Sequence, residues 1–314
     1  MSTIREGLAQ YVFVRRTLGS SFYEPSLSLG HFADFLESEH AQWITTELAL
    51  RWAMQPTQVE RATWARRLSQ VRGFARWMCA IDDRTEVPPA GLLSSRRRRS
   101  APHIYTEQEI QQLLLQASRL RSPTGMRSLT YGTLIGLLVA TGLRPSEAIF
   151  LDCNDVDLLN GILSIRESKF GKSRFVPVHE STRVALEHYA GERDRICSQR
   201  TSDAFLVSEH GGRLNLGCAR SMFVRMSRAI GLRATWPDGR AGYGPRLQDF
   251  RHTFATGRML QWYREGRDVA KDLPKLATYL GHVDVSLTYW YVEAVPELLE
   301  MAARYLGQHR HVGG

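Results

Sequence analysis

Lysine is nearly missing from this 314-residue chain. Of its 41 basic residues only Lys169, Lys172, Lys271 and Lys275 are lysines, so positive charge is carried almost wholly by arginine. Any step that needs a titratable amine therefore has few candidates. Cysteine is scarce as well: Cys79, Cys153, Cys197 and Cys218 are widely spaced and form no C-x-x-C pair. That spacing argues against a zinc site or a disulfide framework and for reduced, packed thiols. No apolar run approaches the roughly 20 residues that span a bilayer. Arg5, Glu6, Arg15 and Arg16 interrupt any apolar segment of the kind a secretory signal requires, and cytoplasmic residence is the expectation. A glycine-rich phosphate-binding loop and a carboxylate cluster suited to magnesium are both lacking.

What is present describes a folded, basic protein. Hydrophobic residues make up 43% of the chain and aromatics 10%, too much apolar surface for a disordered segment. The length suffices for two domains with separate cores. A formal charge of +9 and a pI near 9.6 favour a polyanionic partner, and with no spanning segment nucleic acid is preferred to a membrane.

The chain divides near residue 95. Before it, helical periodicity dominates: Thr3 and Glu6 match a capping box ahead of Ile4, Leu8, Tyr11 and Val12. Further helices are expected over 27–38, 46–54 and 57–81. In the last of these Leu68, Val71, Phe74, Ala75 and Met78 recur at helical steps, while Arg61, Arg66, Arg67, Arg72 and Arg76 line other faces. Such a helix can lie along a phosphate backbone, or be an ordinary bundle helix with a solvated face. Pro88, Pro89 and Gly91 then open a stretch of turn residues that runs into Arg96-Arg97-Arg98-Arg99, an extended basic linker.

In the second half, Thr106 and Glu109 match another capping box, and an apolar helix over 127–141 ends at Gly142, a residue suited to a helix C-terminus. Arg144 lies just beyond it, with Pro145 set to start the next helix and Glu147 in that helix's first turn. Residues 161–166 and 174–178 read as two strands around Lys169-Phe170-Gly171-Lys172, and Phe205-Leu206-Val207 as a further short strand. A helix over 268–280 precedes Gly281-His282, and Pro296 opens a terminal helix bearing Leu298, Leu299, Met301 and Tyr305.

Several of these residues suit phosphodiester chemistry. Arginine stays protonated and bonds phosphate oxygens in pairs, which makes Arg144 and Arg251 candidates for stabilising negative charge. A tyrosine can act as nucleophile, and Tyr289 and Tyr291 compete for that role. Two residues apart on a helix they point about 200° from one another, so one alone can face a site.

Thr141-Gly142-Leu143-Arg144-Pro145-Ser146-Glu147, Gln248-Asp249-Phe250-Arg251-His252-Thr253, Leu280-Gly281-His282 and Tyr289-Trp290-Tyr291 together resemble the catalytic signature of the tyrosine recombinases, the phage integrase family. The resemblance covers the second domain well and the first in outline. It implies a mainly α protein with a small β-sheet: an N-terminal helical core-binding domain over 1–94, a basic linker over 95–102, and an α+β tyrosine-recombinase catalytic domain over 103–314. It selects Tyr291 as nucleophile, forming a 3′-phosphotyrosine, with His282 on the phosphate and Lys169, rather than Lys172, as acid toward the leaving 5′-oxygen. The family usually has a histidine where Gln248 stands; glutamine can donate to a phosphate oxygen but exchanges no proton near neutral pH. The resemblance further implies double-stranded DNA as partner, a homotetramer that exchanges strands through a Holliday junction, possible partner recombinases, and no metal or other cofactor. Tyr289 to Leu298 resembles, more weakly, the ends of recombinases carried on bacterial mobile elements, so a bacterial, nucleoid-associated enzyme of integration or transposition is expected. The terminal helix has two readings, packing on its own domain or docking on a neighbouring protomer. Two other functions stand beside recombination: relaxation of supercoils in the manner of a type IB topoisomerase, and non-catalytic DNA binding by an accessory protein in which Gln248 marks a decayed site.

Overall fold

Among the described residues, four amphipathic helices build the first of the two units into which the chain divides, Met1–Ser100 and Ala101–Gly314. The computed structural model describes residues 4–20, 22–93, 102–168, 172–198, 201–234, 244–281 and 298–301. The capping box expected at Thr3 lies outside them, as does the arginine run of the linker. In the first unit α1 (Ile4–Thr17), α2 (Tyr23–Ser38), α3 (Thr46–Met54) and α4 (Arg61–Cys79) close around Leu29, Phe32, Leu36, Trp52, Leu68, Val71 and Phe74. Helix α2 begins four residues before the expected start. Pro25 falls in its first turn, where a missing N–H costs no intrahelical bond, so the proline does not bar the earlier start.

The arginines of α4 do not form one solvated face. The Arg67 guanidinium lies 3.7 Å from the centre of the Trp52 ring and donates to the Trp52 carbonyl at 2.8 Å. Arg72 donates to the carbonyls of Pro88 and Pro89 at 2.7 and 2.8 Å, fastening the segment after the helix back onto it. Arg61, Arg66 and Arg76 are the ones left exposed. Hence the charged face expected along this helix is narrower than the sequence implied.

The second unit opens with α5 (Glu107–Ser118), whose capping box at Thr106 and Glu109 forms with both reciprocal hydrogen bonds. The apolar α6 (Met126–Thr141) ends on Gly142 in the left-handed conformation, and α7 (Pro145–Phe150) starts with proline at its first position. A three-stranded antiparallel sheet follows in the order β1 (Val156–Asp157), β2 (Ile162–Ser168), β3 (Lys172–Pro177). Its register shifts between Ile165 and Ser168, near the β2–β3 turn. Then come α8 (Glu180–Ile196), α9 (Leu216–Ala229), α10 (Asp249–Arg264) and α11 (Val269–Leu280). The fold is thus mainly α with a small sheet, as the sequence implied.

Phe205-Leu206-Val207 is buried but is not a strand. Its backbone groups pair one at a time with separate partners: Phe205 N–H with the Leu151 carbonyl, Val207 N–H with the Tyr189 hydroxyl, and the Leu206 carbonyl with Leu214 N–H. Only isolated bridges, Asp152 to Ala204 and Val207 to Arg213, result. The terminal helix expected from Pro296 lies largely outside the described residues; Leu298 is buried against α10 and α11 residues.

Among the described residues two apolar clusters fill this unit, and α10 feeds both. Phe250 meets the rings of Tyr105 and Phe223 in the cluster that also holds Leu134 and Leu138, whereas Ala255, Met259 and Trp262 belong to the one with Leu273, Leu276 and Leu280. In the first unit, Trp52→Ala is expected to cost roughly 3–5 kcal/mol, since it removes a fully buried ring and the platform under Arg67. Urea unfolding followed by the helical circular-dichroism signal measures this, and a loss below about 1 kcal/mol would contradict the assignment of Trp52 to the core.

Candidate active site

The last turn of α11 is where the separate motifs meet. An α-helix leaves its final carbonyls without intrahelical partners. Here three consecutive ones, of Tyr279, Leu280 and Gly281, each accept a hydrogen bond from a different arginine. Arg174 of β3 donates through Nε to the Tyr279 carbonyl at 2.8 Å. Arg251 of α10 donates through Nη2 to the Leu280 carbonyl at 2.5 Å, and Arg144 through Nη2 to that of Gly281 at 3.3 Å. The negative end of the helix dipole favours cations in these positions.

Arg251 also donates through Nη1 to the Gly142 carbonyl at 3.1 Å, so it bridges the ends of α6 and α11. It is 2% exposed, among the largest fully buried side chains of the chain. Both helix ends turn on glycine. Gly142 has φ +62°, and a Cβ there would meet the Phe254 ring at 2.6 Å; Gly281 has φ +71°, and a Cβ there would meet the Arg174 guanidinium at 2.9 Å. Left-handed backbone and close approach both demand glycine at these two positions.

Arg144 sits at the N-cap of α7, its backbone N–H donating to Glu147 Oε2 at 2.9 Å and its Nη1 to Glu147 Oε1 at 2.6 Å. Glu147 takes two further hydrogen bonds from Arg174, Nη1 to Oε1 at 3.1 Å and Nη2 to Oε2 at 2.9 Å. Burial pushes the Glu147 carboxyl up. The hydrogen bonds and charge of Arg174, with the N–H and charge of Arg144, outweigh it and hold the group below the usual carboxylate range. Two guanidiniums thus share one carboxylate, leaving excess positive charge beside a partly exposed Arg144. That suits an anion.

Residues around Arg251 divide the remaining tasks. Asp249 pairs with Arg246 at 3.0 Å, Phe250 stacks on Tyr105 with ring centres 4.3 Å apart, and Thr253 Oγ1 accepts from the Tyr105 N–H at 2.9 Å. His252 is largely enclosed with Nε2 3.9 Å from Asp249 Oδ1. Burial lowers its pKa to about 4, against the pull of Asp249 and with the help of Arg246 and Arg251, so it is neutral at pH 7. Gln248, half-buried at the N-cap of α10, lines a cavity of about 380 Å³ together with Pro145, Ser146, Arg220, Arg233 and Arg246. The first turn of α7 and the position that precedes Arg251 by three residues therefore border the same space.

Of the sequence-derived candidates, Arg144 and Arg251 converge on the end of α11, and Gln248 borders a cavity that the first two residues of α7 also line. Lys169, His282 and Tyr291 lie outside the described residues. Among the described residues no group of three or more histidine, cysteine or acidic side chains is placed to hold a metal ion. Arg174 is the residue the sequence reading passed over. Its signal was there: in Ser173-Arg174-Phe175-Val176 the charged residue shares parity with buried Val176, while Phe175 is 75% exposed.

Residues 104–297 match the model of the phage integrase family. The chain belongs to that family. It is 43% identical over 98% of its length to y4rB of Sinorhizobium fredii, an integrase/recombinase by name only, again covering 98% of the relative. It is also 30% identical to the tyrosine recombinase XerD of Caulobacter vibrioides over 76% of this chain and 72% of that one. Among solved structures, a lambda integrase dimer bound to a core site superposes with a TM-score of 0.63 at 16% identity, covering 91% of this chain and 97% of the other. The Tn1549 transposon integrase in complex with transposon right-end DNA gives 0.62 at 16% identity, over 97% and 99%. These structures share the recombinase fold.

Two consequences of this geometry are measurable. Gly142→Ala forces a Cβ into the Phe254 ring on left-handed backbone and is expected to cost about 2 kcal/mol or more in denaturant unfolding, whereas Gly132→Ala, inside α6 with open space around its Cβ, is expected to cost nothing and to stabilise by up to about 1 kcal/mol. For His252 the folded pKa lies below the unfolded one, so the unfolded chain binds the proton first as pH falls. Stability from its neutral form is complete above about pH 6.5 and is lost as pH drops toward about 4. Melting temperatures across that window should fall more steeply for the wild type than for His252→Gln; parallel curves would disprove it.

Proposed function

We propose that this chain is a site-specific DNA recombinase that cuts one strand through Tyr291 and rejoins it to a new partner. The observation that carries the reading is the convergence of Arg144 and Arg251 on the two carbonyls immediately before His282. Family membership supplies the class of reaction, tyrosine-type breakage and rejoining of DNA.

In the proposed mechanism Arg144 and Arg251 stabilise charge on the non-bridging oxygens of the scissile phosphate, and His282 adds a further contact. The phenol oxygen of Tyr291 bonds to phosphorus, its proton passing to a base in the site or to water. The bond from phosphorus to the 5′-oxygen breaks, Lys169 protonates that oxygen, and a 3′-phosphotyrosine remains. Attack by the 5′-hydroxyl of a second strand reverses the chemistry on a new partner. Gln248 contributes a hydrogen bond to phosphate and no proton.

Residues 1–94 are assigned to a DNA-clamping helical domain, 95–102 to a basic linker and 103–314 to the catalytic domain. Exposed Arg61, Arg66 and Arg76 on α4 are the phosphate contacts proposed for the first of these. A homotetramer on the exchanging DNA is proposed in parallel with the lambda integrase tetramer bound to a Holliday junction, a neighbour with a TM-score of 0.62. Action on the bacterial chromosome in the cytoplasm belongs to the same reading, and partner recombinases remain compatible with it.

The test is covalent trapping. A site is selected by the full chain from a random-sequence duplex pool, then nicked so that the cut strand loses its 5′-end. The wild type is expected to form a denaturant-resistant protein–DNA adduct, and Tyr291→Phe to bind equally and form none. Binding with no adduct from the wild type would favour an accessory DNA-binding protein.

A further inference from the structure

The geometry points to Arg174 as a positioning residue for strand cleavage, an inference that rests on the recombinase reading. Arg174 is 10% exposed, and Nε, Nη1 and Nη2 all donate inward. Its one planar group joins three elements: β3, the first turn of α7 through Glu147, and the last turn of α11 through the Tyr279 carbonyl. Each carries or adjoins a group with a task in cleavage. Lys169 lies within the three residues that link β2 to β3, Glu147 holds Arg144, and Tyr279 is three residues before His282.

The contacts fix both orientation and distance. Glu147 is gripped by both Nη atoms, a fork-to-carboxylate pairing that sets the two planes as well as their separation. On another side, the place where a Gly281 Cβ would stand is 2.9 Å from Nη1 and 3.1 Å from Cζ, so the α11 backbone presses against the guanidinium. The Tyr279 ring completes the enclosure: it stacks on Phe254 with centres 5.6 Å apart, and its hydroxyl donates to the Pro177 carbonyl of β3 at 3.4 Å. Lysine cannot reproduce this arrangement. An ammonium is a single point of charge on a flexible stem and cannot bond both carboxylate oxygens and a carbonyl along three fixed directions.

The element that depends most on Arg174 is the hairpin. Arg251 and Arg144 reach α11 by bonds of their own and would still hold it without Arg174. The β2–β3 hairpin would lose its charged tie to α7 and α11. Proton transfer from an acid requires a heavy-atom separation of about 2.6–3.2 Å, and loosening β3, which follows the link that contains Lys169, is expected to impair that step above the others.

Arg174→Lys on two substrates tests this. The first is the selected, nicked duplex; the second is the same duplex with sulfur in place of the bridging 5′-oxygen at the scissile phosphate, whose thiolate leaves without an acid. Arg174→Lys is expected to lower the rate of adduct formation on the oxygen substrate by about 30-fold or more, and on the sulfur substrate by no more than about threefold. The ratio of the two rates is taken on one preparation, so any loss of folded protein cancels, and Arg174→Gln repeats the measurement should the lysine variant be too unstable to assay. Equal losses on both substrates, or no loss on either, would overturn the positioning role. A wild type that forms no adduct on either substrate would instead remove the recombinase reading on which it rests.

Discussion

Three consecutive carbonyls at the end of one helix organise the catalytic unit. Helix α11 cannot satisfy the carbonyls of Tyr279, Leu280 and Gly281 from within, and leaving them buried and unpaired would cost about 1–3 kcal/mol each. The chain answers with guanidiniums from β3, α10 and the N-cap of α7. Arginine is the side chain able to do this while retaining its charge. Its several donors reach carbonyls in fixed directions, and it is weakly hydrated enough to be buried at tolerable cost. The same bonds that end the helix therefore gather positive charge at the position where the backbone enters Gly281-His282. Stability and electrostatics share one set of contacts.

Glycine is what lets those contacts close. Helices α6 and α11 both end on a left-handed glycine, and the two ends meet on Arg251, which donates to Gly142 on one side and Leu280 on the other. Phe254, one turn along α10 from Arg251, presses on Gly142 and stacks on Tyr279. Helix α10 is thus the axle: one end of its motif is set in the first core by Phe250, the other is held by the Thr253 bond to Tyr105, and Arg251 projects between the ends of two other helices. A side chain at Gly142 would press on the Phe254 ring, and one at Gly281 on the Arg174 guanidinium itself.

Much of this was legible in the chain. Motif residues Arg144, Gln248 and Arg251 were visible as types and spacings, and the stops and starts around them obey local rules: the capping box at Thr106, Gly142 after an apolar helix, Pro145 opening the next. Local rules fail where long-range partners decide. Arg67 and Arg72 read as a solvated face because periodicity cannot foresee a ring beneath one and proline carbonyls beside the other. Phe205-Leu206-Val207 has strand composition, yet its backbone partners Leu151, Tyr189 and Leu214 come from three different segments, so no ladder forms. The role of Arg174 depends on Glu147 and Tyr279, 27 and 105 residues away, and only the inverted parity of an inward arginine beside an outward Phe175 hinted at it.

The glutamine at position 248 can now be weighed against its neighbour. With no histidine at that position, His252, four residues on, is the substitute to consider for proton transfer. The environment forbids that. His252 is enclosed against Asp249, its pKa is depressed to about 4 by burial, and at neutral pH it carries no proton that an acid could lend. As a base it would need access to the reacting atoms, yet it follows Arg251 by one residue and lies about 100° around the helix from it. Gln248, by contrast, borders the cavity shared with Pro145 and Ser146, next to Arg144, where an amide can hold a phosphate oxygen without changing charge. In the proposed mechanism the substitution therefore strips proton exchange from one side of the site while keeping its hydrogen bonding. The acid step is then concentrated on a single scarce lysine and on whatever holds the hairpin that carries it.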